Sequence, residues 1–453
     1  MYNNTRNTFL ISLKSTIPAV LLMLCHPLLA QHEGHKMPPM NMAPDTMQHM
    51  NHGAGMEMQH SMSHSYSLSL PMSRNGSGTG WQPDETPMYM YMKMAGNWNL
   101  MFHGGIFLRY NVQDIGKSGS RGGDRLDAPN MFMGMAQRRI GKNGLFNVNL
   151  MMSLDPLTIG GNGYPLLFQT GESWKDRPLI DRQHPHDLFS ELSIGYTQRL
   201  NDKWDLTGYL GYPGEPALGP VTFMHRASAF SNPDAPLGHH WQDATHITFG
   251  VATFGIRCGK LKLEASSFTG REPGENRYNF DKPRFDSYSY RLLFNPGKSW
   301  ALQVSRGLLK SPEEHLPGED ITRTTASVIH ASRLGGRKFQ TTSLVWGMNQ
   351  GHRTGHSALL ESHYQVNRTG IYGRYEWVQK DSTELALHGV SRELIDVNAL
   401  TLGLSYNLTE GKPGIMAVGA QSTYFIPDPA VKDLYGSNPV SVEVFMHFTP
   451  LWK

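Results

Sequence analysis

From residue 97 onward the chain alternates apolar and polar side chains, segment after segment. In residues 188–200 one parity reads Leu188, Ser190, Leu192, Ile194, Tyr196, Leu200 and the other Phe189, Glu191, Ser193, Gly195, Thr197, Arg199. Leu400, Leu402, Leu404, Tyr406 and Leu408 likewise oppose Thr401, Gly403, Ser405 and Asn407, and Val440, Val442, Val444, Met446 and Phe448 oppose Ser441, Glu443, Phe445 and His447. A period of two predicts strands whose faces meet different surroundings. Seven short Gly/Asn/Asp/Lys turns divide them, at residues 141–144, 201–202, 258–259, 295–298, 335–336, 367–370 and 410–414. Eight longer connections alternate with these, near 112–129, 156–185, 213–241, 271–284, 310–320, 350–356, 381–396 and 427–438. Fifteen connections join sixteen strands. An even strand count with short turns and long loops in alternation predicts an all-β fold, a transmembrane antiparallel β-barrel over residues 87–453. A soluble all-β protein also alternates, but it has no reason to keep its connections alternately short and long. Sixteen strands leave a lumen wide enough for water unless something plugs it.

The start of the chain differs. Arg6 and Lys14 precede the apolar run 17–24, and Leu28-Leu29-Ala30 offers a cleavage point, so residues 1–30 read as an export signal. Residues 31–73 hold nine methionines and six histidines with few aliphatic side chains, and residues 31–86 are expected to form a disordered periplasmic arm. Thioether sulfur suits Cu(I) and imidazole suits Cu(II), which makes His32, His35, Met47, His49, Met50, His52, Met56, Met58, His60 and His64 candidate ligands for a copper ion.

Parity also says what enters the lumen. If Trp98, Leu100, Ile106, Leu108 and Tyr110 face lipid, then Met101, His103 and Arg109 face inward. Gln137 and Arg139 define an inner parity that carries Met131, Met133 and Met135, and Asn147 and Asn149 define one that carries Met151. These strands would set a methionine patch with His103 on one inner wall, next to His447 if the sheet closes. This is either a soft-metal track or methionine filling irregular space. Two loops carry a second constellation, Asp181-Arg-Gln-His-Pro-His-Asp187 in one and Met224-His-Arg226 with Gly238-His-His-Trp-Gln-Asp-Ala-Thr-His246 in the other. His184, His186, Asp187, His225, His239, His240, Asp243 and His246 lie on one rim, placed either to ligate a metal or to hydrogen-bond a plug.

Composition narrows the function classes. With 41 Lys and Arg against 38 Asp and Glu the net charge is +3 and no long basic block occurs, so nucleic acid is not an expected partner. Two cysteines, Cys25 and Cys258, exclude a disulfide scaffold. No Gly-x-Ser-x-Gly elbow or phosphate-binding Walker loop is present, and nothing selects Ser190 or Ser228 as a nucleophile.

The motifs at 181–187, 214–226 and 235–246 resemble a family of bacterial outer-membrane barrel proteins without an assigned activity, over most of residues 87–320. Separately, a Met/His-rich exported tract followed by a barrel is similar in architecture to the copper-resistance protein B family. That similarity lies in the composition of residues 31–73, and the rim motifs are not part of that family's pattern. It implies copper binding or removal at the outer membrane. The residues taken together predict a barrel that binds copper or another soft transition metal and contributes to metal tolerance by sequestration or passage, with outer-membrane lipid and periplasmic metal-handling proteins as expected partners. A general porin-like channel and an outer-membrane enzyme using the His/Asp loops remain the other readings.

Overall fold

A computed structural model describes residues 62–313, 317–388, 390, 392–411 and 413–450. Sixteen long antiparallel strands close into a barrel: β1 Trp98–Gln113, β2 Asn130–Ile140, β3 Gly144–Met152, β4 Phe189–Arg199, β5 Trp204–Gly211, β6 Val251–Cys258, β7 Leu261–Phe268 and β8 Ser287–Phe294, followed by β9 Trp300–Leu309, β10 Ile321–Arg333, β11 Lys338–Gln350, β12 Thr354–Val366, β13 Thr369–Asp381, β14 Leu394–Thr409, β15 Gly414–Pro427 and β16 Val440–Pro450. β16 pairs with β1 from Val442↔Val112 to Phe448↔Ile106, which removes the sheet edges. Tyr91–Ala95 continues the position of β16, pairing with the other half of β1 from Tyr91↔Phe102 to Ala95↔Trp98. All seven predicted turns fall between paired strands. One expected long loop is shorter than predicted, because pairing runs to Gln350↔Thr354 and leaves only residues 351–353.

The two faces separate as parity predicts. Leu400, Leu402 and Leu404 are exposed on the outer face of β14 while Thr401 and Ser405 are buried. Leu192, Ile194 and Tyr196 repeat this on β4 against buried Glu191, Ser193 and Thr197. A register shift between Phe189 and Glu191 resets the parity at the start of that strand, so Ser190, expected outside, is buried. An apolar outer band on a closed barrel is the surface that lipid requires. Among the described residues no helix is long and apolar enough to cross a membrane.

Protein occupies much of the lumen, which corrects the expected extent of the arm. Residues 62–86, predicted to be disordered, fold inside the barrel from its short-turn end. Ser63–His64 and Ser67–Pro71 make a small antiparallel pair, and Tyr66 and Trp81 are 3% exposed. The physical reason is wall chemistry. The inner face carries charges that need partners, and this stretch supplies them. Lys262 Nζ donates to Thr79 O at 2.9 Å, Arg291 Nη2 donates to Thr79 Oγ1 at 3.0 Å, and Ser67 Oγ donates to Asp205 Oδ2 at 2.5 Å. Asn295 Nδ2 donates to Gln82 O at 2.9 Å near the β8–β9 turn. At the loop end, residues 153–188 and 212–250 fold inward and fill the rest of the lumen.

The lipid face yields a direct test. Leu402→Arg should destabilise the barrel by about 2–4 kcal/mol if Leu402 sits near the bilayer midplane, measured by urea unfolding in vesicles. Leu402 is 62% exposed on the outer face, so a penalty below about 1 kcal/mol would refute the assignment of that surface to lipid.

Candidate metal centre

Two loops build the centre. The connection from β3 to β4 carries Asp155, Glu172, His184 and His186, and the connection from β5 to β6 carries His225, His239, His240, Asp243 and His246. The one-turn helix His239–Gln242 sets Asp243 four residues beyond His239, close enough for Asp243 Oδ1 to lie 2.6 Å from His239 Nδ1. Five rings become neighbours. Their centres are 5.2 Å apart for His239–His246, 5.3 Å for His239–His240 and 5.4 Å for His186–His246. His184 stands 5.7 Å from His240, 6.0 Å from His239 and 6.4 Å from His186. A tetrahedral ion bound at ~2.0 Å from each nitrogen would put ring centres roughly 5 Å apart, tighter than these, and no three of the five rings bring ligand atoms within 4.8 Å of one another.

Each ring has one nitrogen held and one free. The Nδ1 atoms face oxygens: Asp155 Oδ2 at 2.8 Å from His186, Asp243 Oδ1 at 2.6 Å from His239, Asp243 O at 2.9 Å from His246, and Glu272 Oε1 at 3.3 Å from His240. His184 Nδ1 has Pro185 O and Glu172 Oε1, both at 3.2 Å. Carboxylates and carbonyls accept, so Nδ1–H donates and the lone pair sits on Nε2. All five Nε2 atoms are buried and have no hydrogen-bond partner. Burial pushes His184 and His246 well below the ordinary imidazole range, aided by neighbouring histidines, and it lowers His239 although Asp243 pulls the other way. These three rings are neutral near pH 7. Five buried unused acceptors on neighbouring rings need an explanation. An Nδ1 fixed by a carboxylate or carbonyl with Nε2 free is the arrangement that metal-ligating histidines adopt.

Below the loops lies a cavity of about 220 Å³, between the folded 62–90 segment and residues 223–233. Met72, Met88, Met90, Met101, Met131, Met133, Met135 and Met224 line it, with His103, His186, His225 and His447. The barrel register makes this patch, since Met101 pairs with Met135, His103 with Met133, and Met133 with Met151. His103 Nε2 lies 3.2 Å from Met133 Sδ, and its ring centre is 5.5 Å from that of His225. Burial pushes the His225 imidazole down to about 3, with His103 adding to it. His186 and Phe223 border the cavity and also touch the rings above, Phe223 against His186 and His239. The two sets of soft and borderline ligands therefore adjoin.

Some candidates land elsewhere. His225, grouped with the rim in the sequence, belongs to the methionine cavity. Asp187 turns to Arg277 at 3.3 Å rather than toward the rings. His64, predicted in the arm, is buried beside Lys262, Arg74 and Arg257, and its Nδ1 accepts from the Tyr66 N–H at 2.9 Å. His32, His35, Met47, His49, Met50, His52, Met56, Met58 and His60 lie outside the described residues. Glu172 and Glu272 were not foreseen, since neither stands in a motif. Ser190 Oγ donates to Asp187 O and Ser228 Oγ to Glu361, so neither is paired with a histidine base.

A chain of buried ion pairs holds the loops in place. Asp243 takes Arg226 at 2.9 Å, Arg226 takes Glu361 at 2.7 Å, and Glu361 takes Arg374 at 3.0 Å. Arg374 Nη1 donates to Asp234 O at 2.9 Å, and Asp234 pairs with Arg109, which also takes Asp127 and Glu443. Where the 62–90 segment meets the loop, Glu215 accepts from Ser77 Oγ at 3.0 Å and from Thr222 Oγ1 at 3.3 Å. Burial pushes its carboxyl up to about 8, with Arg291 opposing.

No family model matches this chain, and no curated protein does. Among solved structures it is similar to OmpF of Salmonella typhi in complex with daunomycin, at 9% identity over 79% of this chain and 100% of that one, with a TM-score of 0.49. It is also similar to an anion-selective porin from Comamonas acidovorans, at 9% identity, 78% and 99% coverage and a TM-score of 0.49, and to a porin variant from Rh. blastica, at 12% identity, 77% and 99% coverage and a TM-score of 0.36.

Two predictions follow from the electrostatics. Arg226→Ala leaves Asp243 and Glu361 buried without their shared cation and should cost about 3–5 kcal/mol in urea unfolding, whereas a loss below 1 kcal/mol would mean the chain does not hold the loop. Glu215 ionises near 4.5 when unfolded and near 8 in the fold, so the native state binds more protons between those values. Stability should fall as pH rises from about 4.5 to 8, and Glu215→Gln should flatten that slope in unfolding midpoints taken across the range.

Proposed function

We propose that this chain is an outer-membrane barrel that binds copper inside its lumen and contributes to copper tolerance by sequestration. One observation carries the reading: eight methionines and four histidines line a cavity that adjoins five histidines with buried, unpartnered Nε2 atoms. Thioethers prefer Cu(I), and they carry no charge that a divalent ion would require. The imidazole cluster, backed by Asp155, Asp243, Glu172 and Glu272, suits Cu(II) or another borderline divalent ion. With the short-turn end facing the periplasm, residues 31–61 would capture the ion, with periplasmic metal-handling proteins supplying it. The filled lumen favours holding over free passage, and the porin-like alternative is a matter of conductance.

Cu(I) affinity should fall at least about tenfold when Met101, Met131, Met133 and Met135 are changed together to Leu, read anaerobically against a chromophoric chelator. His184→Ala with His239→Ala and His246→Ala should remove Cu(II) binding instead. Unchanged affinity in both variants would sink the reading. In planar bilayers the intact chain should show no conductance steps, and large ohmic steps would favour the general channel.

A further inference from the structure

On its far side, His240 meets a different chemistry. Its Nδ1 lies 3.3 Å from Glu272 Oε1, and one ligand atom each from His240, Glu272 and Glu313 lie within 4.8 Å of one another. Glu272 is 9% exposed, and its second oxygen, Oε2, is buried without a hydrogen-bond partner. The three residues come from three different loops, so the fold and not local spacing brings them together. Gly171 seats the ring: a Cβ there would fall 2.3 Å from His240 Nε2 and 2.4 Å from Cε1. Arg323 acts electrostatically on both carboxylates, His240 also acts on Glu272, and Lys380 also acts on Glu313.

We propose that His240 Nδ1, Glu272 and Glu313 form a second metal subsite, oxygen-rich and suited to a divalent cation of the manganese or zinc class, joined through the His240 ring to the imidazole cluster. Two carboxylates and one imidazole favour harder ions than the methionine cavity does. A cation at Nδ1 displaces the proton that otherwise faces Glu272, which moves to Nε2 or, if both nitrogens ligate, leaves to solvent. The lumen then holds ions of different classes side by side, a soft one below and a harder one at the loop end. This deepens the metal-binding reading and rests on it for its setting, but the two are measured separately.

The test uses the full chain in detergent with manganese(II) chloride as probe, followed by electron paramagnetic resonance. One Mn(II) per chain is expected in the parent protein and in the His239→Ala, His246→Ala double variant, with Mn(II) affinity at least tenfold weaker in Glu272→Gln and in Glu313→Gln. Each variant is first checked for the folded, heat-modifiable band, and either glutamate variant that passes suffices. If neither passes, Gly171→Ala, which displaces the His240 ring, must weaken Mn(II) binding at least tenfold. No Mn(II) uptake by the parent chain, or uptake unchanged in the variants, overturns the subsite. Copper binding by the methionine cavity is read in the same samples with Mn(II) absent, so loss of one result leaves the other legible.

Discussion

The structure depends on one constraint: charges pointing into a closed barrel must find partners inside it. Lipid surrounds the wall, and the inner face carries Arg109, Arg226's partner Glu361, Arg291, Arg374 and Glu443, all buried. Arg109, Glu361, Arg291 and Arg374 are answered from a loop or from the 62–90 segment, and Glu443 by Arg109 of the wall itself. Removing a partner would leave a charge in a medium where desolvation costs several kcal/mol. The chain from Asp127 through Arg109, Asp234, Arg374, Glu361 and Arg226 to Asp243 is therefore more than wall decoration. It ends on the carboxylate that orients His239, so the pairing that keeps the lumen filled also aims a ring of the histidine cluster.

Strand parity and turn chemistry were legible because each rests on near-neighbour physics. Sixteen strands, the seven short turns and the inward direction of Met101, His103, Met133 and Met151 follow from a period of two. The grouping of His184, His186, His239, His240 and His246 was legible because Pro-rich loops on one rim bring dense histidines together. What composition hid was the fate of residues 62–86. Read alone they lack a core of their own, but Tyr66, Trp81 and Thr79 fold by completing the core of something else. His225 was misplaced for a similar reason, since parity says nothing about how deep a loop descends. The carboxylates Glu172 and Glu272 have no sequence signal, because their partners come from segments far away in the chain.

The arrangement sorts ligands by hardness along the barrel axis. Uncharged sulfur lies deep, imidazole backed by carboxylates lies above it, and His186 with Phe223 stands at the boundary. Burial keeps His184, His239 and His246 neutral, which leaves their lone pairs available without competition from protons near pH 7. The charges of the inner wall are largely spent on one another.

Tyr91–Ala95 adds a mechanical consequence. This short stretch stitches onto β1 in line with β16, at the place where the last strand stops and the first continues. The stopper and the seam are thus one piece of chain, joined through residues 87–90. Drawing residues 62–95 out whole through the turn end would therefore also unzip five residues from the closing joint, so emptying this barrel completely loosens its side.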